Sequence, residues 1–264
     1  MGKTRNETVK ALEAKYQFYR RMTFALALVC VFLLVVTVGQ WTMNAGSATT
    51  PDTSLASQTS TPSADAAEPS IEAASAAATI ESAVVRRDAS DTMAIGDIDA
   101  PVVLVEWTDL RCPFCAAFHR DTLPTIVSEY VDAGLVRIEV HDVAFFGEQS
   151  TDGAVAARAA GNQGMFFDYT QLLYANAPES GHPDLTREVL LTYAREVGIP
   201  DMDRFTADLD DPALREAVRT STSTAQQLGI TSVPFFVAGD TAVAGSRPVE
   251  VFRQFLDDAL EQAQ

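Results

Sequence analysis

Two strand-like segments joined by one helical segment constrain the fold of this chain more strongly than any other feature. Residues 101–110 (PVVLVEWTDL) form a short, β-branched apolar run that ends in polar residues, as a buried strand does. Residues 135–145 (LVRIEVHDVAF) alternate apolar and polar side chains, as a half-buried strand does. The segment between them has a helical pattern with a break at Pro124 and a stop at Gly134. Because a strand–helix–strand order needs a crossover connection, we expect the two strands to be parallel neighbours.

The remaining elements complete a recognisable order. Helical patterns fill the chain from about residue 150 to 228, with prolines near their starts and glycines near their ends. Strand character returns at residues 233–243 (VPFFVAGDTAV), which contain a hairpin-type turn at Gly239 and Asp240, and a last helix is expected from Pro248 to about Glu261. This order predicts an α/β protein with a thioredoxin-like fold, in which a mixed central sheet carries an inserted helical subdomain.

An uncharged apolar run lies near the start of the chain. Residues 22–39 contain no charged side chain, and their length is about what a helix needs to cross a bilayer. Six basic residues precede the run, and no Lys or Arg follows it until Arg86. We therefore expect residues 1–21 to be a cytoplasmic tail, residues 22–41 to be a single transmembrane signal anchor in the cell membrane, and the rest to be extracytoplasmic. A signal peptide cleaved at NAGSA (44–48) is the alternative.

The next segment, residues 42–83, is expected to be a disordered linker. From residue 45 onward it consists almost wholly of Ala, Ser, Thr, Pro and acidic residues, with no aromatic or basic side chain. Such a composition buries too little apolar surface to offset the entropy lost on ordering, although the Ala-rich part near residues 71–82 favours a transient helix. The folded domain is then expected to cover residues 84–264.

The charge balance excludes one class of partner. The chain has a formal net charge of −17, and beyond Met22 its basic residues are far outnumbered by acidic ones. Nucleic-acid binding needs Lys and Arg to displace counterions from phosphates, so we expect no nucleic-acid partner.

The motif CPFC, Cys112 to Cys115, lies where the first predicted strand gives way to the helix. Unpaired backbone N–H groups and the helix dipole favour an anion at a helix N-terminus, so the pKa of the Cys112 thiol is expected to be lowered. Pro113 suits the first helical turn because it fixes a helical φ and has no N–H to leave unpaired. Cys115 lies one turn further on and can form a disulfide with Cys112.

A structural zinc site and a static disulfide are alternatives to a redox centre. Zinc needs four ligands, but the third cysteine, Cys30, lies in the apolar run and the three histidines are scattered. A disulfide across two intervening residues closes too small a loop to restrict the unfolded chain much. Redox activity is the favoured interpretation, and it needs no metal and no cofactor beyond the Cys112–Cys115 disulfide.

Three residues outside the motif are candidates for the same site. Glu106 lies inside the apolar run of the first strand, where a carboxylate is costly unless it has a use, such as exchanging a proton with Cys115. The alternative for Glu106 is an ordinary acid at a sheet edge. Pro234 begins a strand and has either a cis or a plain trans peptide bond. His119 is in reach of the thiolate, but we expect it to be a partly exposed helix residue.

Four segments together form a specific pattern. They are Glu106 six residues before the first cysteine, the CPFC motif, AARAAGNQGMFFDY at residues 156–169 and GITSVPFFVAGD at residues 229–240. With them, the region from about Ile95 to Ala259 resembles the DsbA family of thioredoxin-fold thiol:disulfide oxidoreductases.

The resemblance assigns roles to individual residues. It implies that Cys112 exchanges with substrate and Cys115 resolves the mixed disulfide. It also implies that Pro234 is cis and lies against the disulfide, and that Val233 presents its backbone to bound peptide. We expect Pro113 and Phe114, which lie between the cysteines, to contact substrate as well.

Two residues depart from the pattern of the strongly oxidising family members. Phe114 stands where those members often have a histidine that further stabilises the thiolate, and Val233 stands where threonine is frequent. Because Phe114 replaces that histidine, the sequence does not determine how strongly the Cys112–Cys115 disulfide oxidises other thiols. Because Val233 replaces that threonine, it does not determine how the site fits a substrate or a reoxidising partner.

The sequence therefore predicts an extracytoplasmic oxidoreductase that introduces disulfides into exported proteins through Cys112 and Cys115. Its expected partners are exported proteins with free thiols or disulfides and a membrane redox partner that restores the active form. One alternative is a reductase or isomerase of exported proteins with the same site. Another is a non-catalytic, tethered peptide-binding module.

Overall fold

Residues 71–264 are described by the structure, which is a computed structural model. The predicted cytoplasmic tail, the predicted transmembrane anchor and residues 42–70 of the predicted linker lie outside this part. Within residues 71–264, no helix has both the length and the apolar character needed to span a bilayer.

A five-stranded mixed sheet forms the centre of the described chain. Its strands are β1 (Ala94–Ile95), β2 (Val102–Thr108), β3 (Val136–Asp142), β4 (Phe235–Ala238) and β5 (Thr241–Ala244), in the spatial order β1-β3-β2-β4-β5. Strands β2 and β3 are parallel, with Val102 opposite Val136 and Thr108 opposite Asp142. The other three pairings are antiparallel. The predicted parallel pair, the hairpin and the mixed sheet are all confirmed, whereas the two-residue strand β1 was not predicted.

Nine helices accompany the sheet in the described residues. They are α1 (Ile71–Val84), α2 (Pro113–Asp121), α3 (Leu123–Ile126), α4 (Glu148–Gly161), α5 (Phe166–Ala175), α6 (Arg187–Val197), α7 (Met202–Asp208), α8 (Pro212–Gln227) and α9 (Val249–Gln262). Helices α4 to α8 form the insertion between β3 and β4, with bounds close to the predicted 150–228. A π-helical turn, Val127–Val131, continues α3 and was not predicted.

The expected break and stop of the first helical segment are both present. Helix α2 ends at Asp121, and α3 begins at Leu123 with Pro124 in its first turn, where the missing N–H costs nothing. Gly134 adopts a φ of 70°, a left-handed conformation that favours glycine, as the chain turns into β3.

The helix that carries the cysteines is fixed to the sheet by aromatic packing. Phe118 of α2 contacts Phe236 of β4 and Phe252 of α9, with ring centroids 4.5 and 4.9 Å apart. All three rings are fully buried. Strand β2 is buried along its whole length, as its near-continuous apolar sequence predicts. The aromatic contacts hold α2 in a fixed position against β4 and α9.

The end of the predicted linker is corrected by helix α1. Residues 71–83 were expected to be disordered with at most a transient helix, but they belong to a helix that packs on β4 and β5. Ala77 and Val84 are buried, and Ile80 is partly buried beside them. The Glu81 carboxylate accepts a hydrogen bond from the Gly239 N–H at 3.0 Å. The prediction was wrong because average composition does not register a narrow apolar face at spacings of three and four residues.

A buried carboxylate then fixes the chain that follows α1. Glu139 of β3 is fully buried and accepts hydrogen bonds from the backbone N–H groups of Arg86 and Arg87, at 2.7 and 2.9 Å. The guanidinium of Arg137 donates to the same carboxylate at 2.9 Å. Since breaking a buried ion pair leaves an uncompensated charge, this arrangement ties the segment after α1 to the central sheet.

Substituting the buried alanine of α1 tests whether the helix is an integral part of the fold. We expect Ala77→Asp to lower the free energy of unfolding by about 1–3 kcal/mol, because it places a carboxylate against the β4–β5 hairpin without a partner. Ala78→Asp, on the exposed side of the same helix, is the matched control and should cost roughly 0.5 kcal/mol or less. Urea unfolding measures both values. Equal losses for the two variants would show that α1 does not contribute to stability through this face.

Candidate active site

Cys112 occupies the junction between β2 and α2 that the sequence predicted for it. It is the residue before the first helical turn, with an extended backbone (φ −79°, ψ 120°), and Pro113 takes the first helical position. No side chain caps this helix end, so the Cys112 sulfur lies where backbone N–H groups are unpaired. Cys115, one turn further along, has no exposed surface, and Cys112 has almost none. Both are free thiols in the structure.

The two thiols have opposite pKa shifts. Hydrogen bonding from the Cys115 thiol, opposed by burial and helped by the N–H groups of Cys115 and Phe114, lowers the pKa of Cys112 to about 7. Burial raises the pKa of Cys115 well above its ordinary value, and the adjacent Cys112 sulfur raises it further. At neutral pH the reactive thiolate therefore forms at Cys112, while Cys115 keeps its proton.

The loop before Cys112 is built on Asp109, which sequence reasoning did not single out. Its carboxylate accepts hydrogen bonds from the N–H groups of Arg111 and Phe145, at 2.8 and 2.7 Å, and its carbonyl accepts one from the Cys112 N–H at 2.9 Å. Burial raises the pKa of Asp109, although these N–H donors oppose that shift. Asp109 could have been recognised from its position directly after an apolar strand. An aspartate there often accepts hydrogen bonds from backbone N–H groups in the following turn.

Pro234 lies beside the cysteines, with its preceding peptide bond in the cis form. The Val233–Pro234 bond is cis, as the family resemblance implied, and both residues are buried. The Cys112 Sγ lies 3.5 Å from the Val233 carbonyl oxygen, which accepts its S–H. The structure thus brings together the two cysteines and the predicted Val233–Pro234 pair.

The residues between the cysteines face outward. Phe114 is 64% exposed, whereas the other Phe, Tyr and Trp side chains of the described residues are buried or partly buried, and Pro113 is partly exposed. Both are accessible at the surface beside Cys112. Their predicted contact with substrate stays a prediction.

One edge of this surface comes from the helical insertion, which the sequence alone did not link to the site. The Arg111 guanidinium donates to the carbonyls of Pro183 and Phe146, at 2.9 and 2.7 Å. The His182 Nδ1 donates to the Arg111 carbonyl at 2.8 Å, and its ring stacks on Phe146 with centroids 4.3 Å apart. Arg111 thereby ties the loop between α5 and α6 to the residue that precedes Cys112.

Glu106 and His119 form a buried pair beneath the cysteines. The Glu106 Oε1 lies 2.8 Å from the His119 Nε2, and both side chains are almost completely buried. The alternative of an ordinary acid at the sheet edge is excluded for Glu106, since β2 is the central strand. The expectation of a partly exposed His119 was wrong, because its ring lies between Glu106 of β2 and Tyr174 of α5 and is 3% exposed.

Thr108 and Tyr174 complete the buried polar cluster, and neither was predicted. The Thr108 hydroxyl lies 2.7 Å from the Tyr174 hydroxyl, and hydrogen bonding to Thr108 opposes the rise in the pKa of the Cys115 thiol. Thr108 could have been found from the sequence, because side chains alternate along a strand and Thr108 therefore lies on the same face of β2 as Glu106. Tyr174 comes from the insertion, and nothing in the local sequence connects it to the site. In residues 71–264, no group of His, Cys, Asp and Glu side chains is arranged to hold a metal ion.

Comparisons with known proteins agree with this geometry. A protein-family model described as Thioredoxin matches residues 88–258. The probable disulfide bond formation protein D of Bacillus anthracis is 31% identical over 158 residues, which cover 58% of this chain and 72% of that protein. The chain belongs to the DsbA family. It is a thiol:disulfide oxidoreductase.

Solved structures show the same fold. BdbD from Bacillus subtilis in its oxidised form aligns with a TM-score of 0.60 and 23% identity, over 64% of this chain and 92% of BdbD. Wolbachia pipientis α-DsbA1 aligns with a TM-score of 0.57 and 21% identity, over 65% of this chain and 92% of that protein. About two thirds of this DsbA-family chain therefore shares the fold of 92% of BdbD and 92% of α-DsbA1.

The pKa of Cys112 gives a pH-dependent prediction. We expect the rate of Cys112 alkylation by iodoacetamide in the reduced protein to rise roughly tenfold per pH unit at low pH and to level off above about 7. Because the folded pKa is depressed, the thiolate stabilises the folded state at alkaline pH, and that contribution is lost as pH falls through about 7.

The variant Cys115→Ala tests the cause of the depressed pKa. Removing the Cys115 thiol removes the main hydrogen bond to the Cys112 thiolate, so the midpoint of the alkylation profile should move to higher pH. Mass spectrometry identifies the alkylated residue. An unchanged midpoint would mean that the helix N-terminus alone lowers the pKa.

Proposed function

We propose that this protein introduces disulfides into exported proteins outside the cytoplasm, through a Cys112–Cys115 disulfide. The observation that carries the proposal is the contrast between the two sulfurs. Cys112 has a depressed pKa and lies against the Val233 carbonyl, while Cys115 is sealed from solvent and keeps its proton. A substrate therefore meets one sulfur, and the other is reserved for the internal bond.

The reaction follows from that asymmetry. A substrate thiolate attacks the Cys112 sulfur of the oxidised site, the Cys112–Cys115 bond breaks, and Cys115 leaves with the electron pair and takes up a proton. A second substrate thiolate then attacks the substrate sulfur of the mixed disulfide, and Cys112 leaves as a thiolate. The substrate is oxidised by two electrons and the enzyme is reduced by two. An oxidised membrane partner restores the disulfide by the reverse exchange.

The location outside the cytoplasm is part of the proposal. The apolar run at residues 22–39 and the basic residues before it favour a membrane anchor with a cytoplasmic amino terminus. Disulfides persist in extracytoplasmic compartments, so thiol oxidation there leaves a lasting product. Newly exported proteins are the thiol-bearing substrates that such a site would meet.

A reductase or isomerase of exported proteins is the second candidate, and one observation favours it. The Cys112 pKa of about 7 is close to the value of about 7 in thioredoxin and well above the value of about 3.5 in DsbA. A more moderate thiolate stabilisation gives a less oxidising disulfide. The non-catalytic peptide-binding module is a different alternative. It predicts that a variant with alanine at both Cys112 and Cys115 keeps the biological function of the protein.

Removing the nucleophile tests whether the cysteine pair carries the activity. We expect Cys112→Ser to abolish both the oxidation of a dithiol peptide and the reduction of insulin, because Cys115, the other cysteine among residues 71–264, has no exposed surface. Peptide oxidation followed by mass spectrometry and insulin turbidity measure the two directions. Wild-type rates in this variant would contradict the proposal.

The direction of electron flow is tested by the redox potential and by one substitution. Equilibration of the full-length protein with glutathione gives the potential, and a value near about −120 mV indicates an oxidase whereas one near about −270 mV indicates a reductase. Phe114→His should make the protein more oxidising, because an imidazole next to the exposed helix N-terminus stabilises the Cys112 thiolate. Phe114→Leu is the control for loss of the aromatic ring and should leave the potential nearly unchanged.

A further inference from the structure

Four acidic side chains in residues 71–264 are almost completely buried, and one of them differs from the rest. They are Glu106, Asp109, Glu139 and Asp142. Three of them lie within 2.9 Å of an Arg or His side chain, in the pairs Glu106–His119, Glu139–Arg137 and Asp142–Arg158. Asp109 forms no ion pair with any basic residue of this part of the chain. Its carboxylate is therefore buried without an opposite charge.

The guanidinium nearest to Asp109 along the chain is engaged elsewhere. Arg111 follows two residues later, but its side chain donates to the carbonyls of Pro183 and Phe146, at 2.9 and 2.7 Å. The Asp109 carboxylate instead accepts hydrogen bonds from uncharged backbone N–H groups, from Arg111 at Oδ1 and from Phe145 at Oδ2. Burying a charge without an opposite charge is costly, and such groups are concentrated at functional sites. The uncompensated charge of Asp109 is therefore a candidate for a role in the reaction.

Asp109 interacts with both cysteines through its backbone. Its carbonyl accepts a hydrogen bond from the Cys112 N–H at 2.9 Å, which closes a four-residue turn whose first and last Cα atoms are less than about 7 Å apart. Hydrogen bonding from its own N–H opposes the rise in the pKa of the Cys115 thiol. The Cys115 thiol lowers the pKa of Cys112 more than any other group does, and the negative charge of Asp109 opposes this. The carboxylate thus acts on the sulfur that substrate meets.

The other titratable groups around Asp109 come from the helical insertion. Burial raises the pKa of Tyr174 in α5, and the charge of Asp109 adds to that rise. In the loop between α5 and α6, His182 donates from its Nδ1 to a backbone carbonyl. In the first turn of α4, Glu148 is paired with Arg215. Among the described residues, these groups leave the carboxylate of Asp109 without a positively charged partner.

Reduction of the disulfide places a second negative charge beside Asp109. When glutathione is the reductant, two glutathione thiols supply two electrons and become glutathione disulfide, and the Cys112–Cys115 bond breaks. Of the two protons released by glutathione, Cys115 keeps one, whereas Cys112 remains a thiolate above its pKa of about 7 and the second proton goes to solvent. Like charges repel strongly where water is excluded, so the Asp109 carboxylate disfavours the reduced form and favours the disulfide.

We propose that the uncompensated charge of Asp109 makes the Cys112–Cys115 disulfide a weaker oxidant. The inference rests on the proposed oxidoreductase function and deepens it, because the direction of electron flow depends on how stable the Cys112 thiolate is. Asp109 acts through Cys112 and not through contact with substrate, so it is a positioning residue. Its hydrogen bonds place Cys112 at the start of α2, and its charge limits the stabilisation that the thiolate finds there.

The variant Asp109→Asn tests the proposal, because it removes the charge and nearly keeps the size of the side chain. The measured quantity is the equilibrium constant between the full-length protein and glutathione at about pH 8, obtained by mass spectrometry of the trapped Cys112 and Cys115 thiols. We expect the variant to be roughly tenfold more oxidising, which is about 30 mV for a two-electron couple. The midpoint of Cys112 alkylation should also move to lower pH. An equilibrium constant within about twofold of the wild-type value, or a less oxidising variant, would overturn the proposal.

The matched control is Asp142→Asn. Asp142 is the last residue of β3, is buried like Asp109, and loses its ion pair with Arg158 in this variant. Asp109→Asn likewise loses a hydrogen bond, because the asparagine amide group cannot accept the Phe145 N–H. Both variants should therefore lower the free energy of unfolding, but Asp142→Asn should leave the equilibrium with glutathione within about twofold of the wild-type value. An equal shift in both variants would contradict the proposal, since lost stability would then explain it.

If Asp109→Asn fails to fold, Asp109→Ser provides the test. A serine hydroxyl accepts N–H groups in the same kind of turn but carries no charge, so this variant should also be more oxidising than the wild-type protein. A wild-type equilibrium constant in Asp109→Ser would overturn the role of the charge and leave the oxidoreductase function intact. The proposed function itself fails on a different result, namely thiol exchange by the wild-type protein that does not depend on Cys112.

Discussion

The hydrogen bonds accepted by Asp109 are the interaction on which the site depends. One carboxylate joins the loop that leaves β2 to the loop that leaves β3, through the N–H groups of Arg111 and Phe145. The carboxyl ends of two parallel strands are thereby held at a fixed separation, and the chain is delivered to the start of α2 with Cys112 at the helix N-terminus. This placement brings the Cys115 thiol and the N–H groups of Phe114 and Cys115 to the Cys112 sulfur, where their hydrogen bonds lower the pKa of Cys112 although the charge of Asp109 opposes them.

The parts of the fold that follow from local periodicity could be predicted from the sequence. The central sheet was predicted from the apolar run of β2, the alternation of β3 and the turn at Gly239 and Asp240. The position of Cys112 was predicted from the junction between the first strand and the helix. The cis bond before Pro234 came from the family resemblance rather than from the residues themselves. Glycine and proline positions placed the helical insertion within a few residues.

The parts that depend on contacts between distant segments could not be predicted in the same way. His119 is followed in sequence by the charged residues Arg120 and Asp121, and it is buried by contacts with Glu106 of β2 and Tyr174 of α5. Tyr174 reaches Thr108 from 66 residues away, and no periodicity records such a pairing. Helix α1 was missed because one narrow face of small apolar residues is enough to pack against a hairpin, whereas composition averages over all faces.

The burial of Cys115 also limits the damage that peroxide can do to the site. Oxidation of a cysteine thiolate such as that of Cys112 by peroxide gives a sulfenic acid, which further oxidation turns into irreversible sulfinic and sulfonic acids. Cys115 holds a protected thiol one helical turn away, and its condensation with the sulfenic acid releases water and forms the Cys112–Cys115 disulfide. A toxic oxidant is thereby consumed to produce the oxidised form of the enzyme, so an inner sulfur that never meets substrate preserves the outer one.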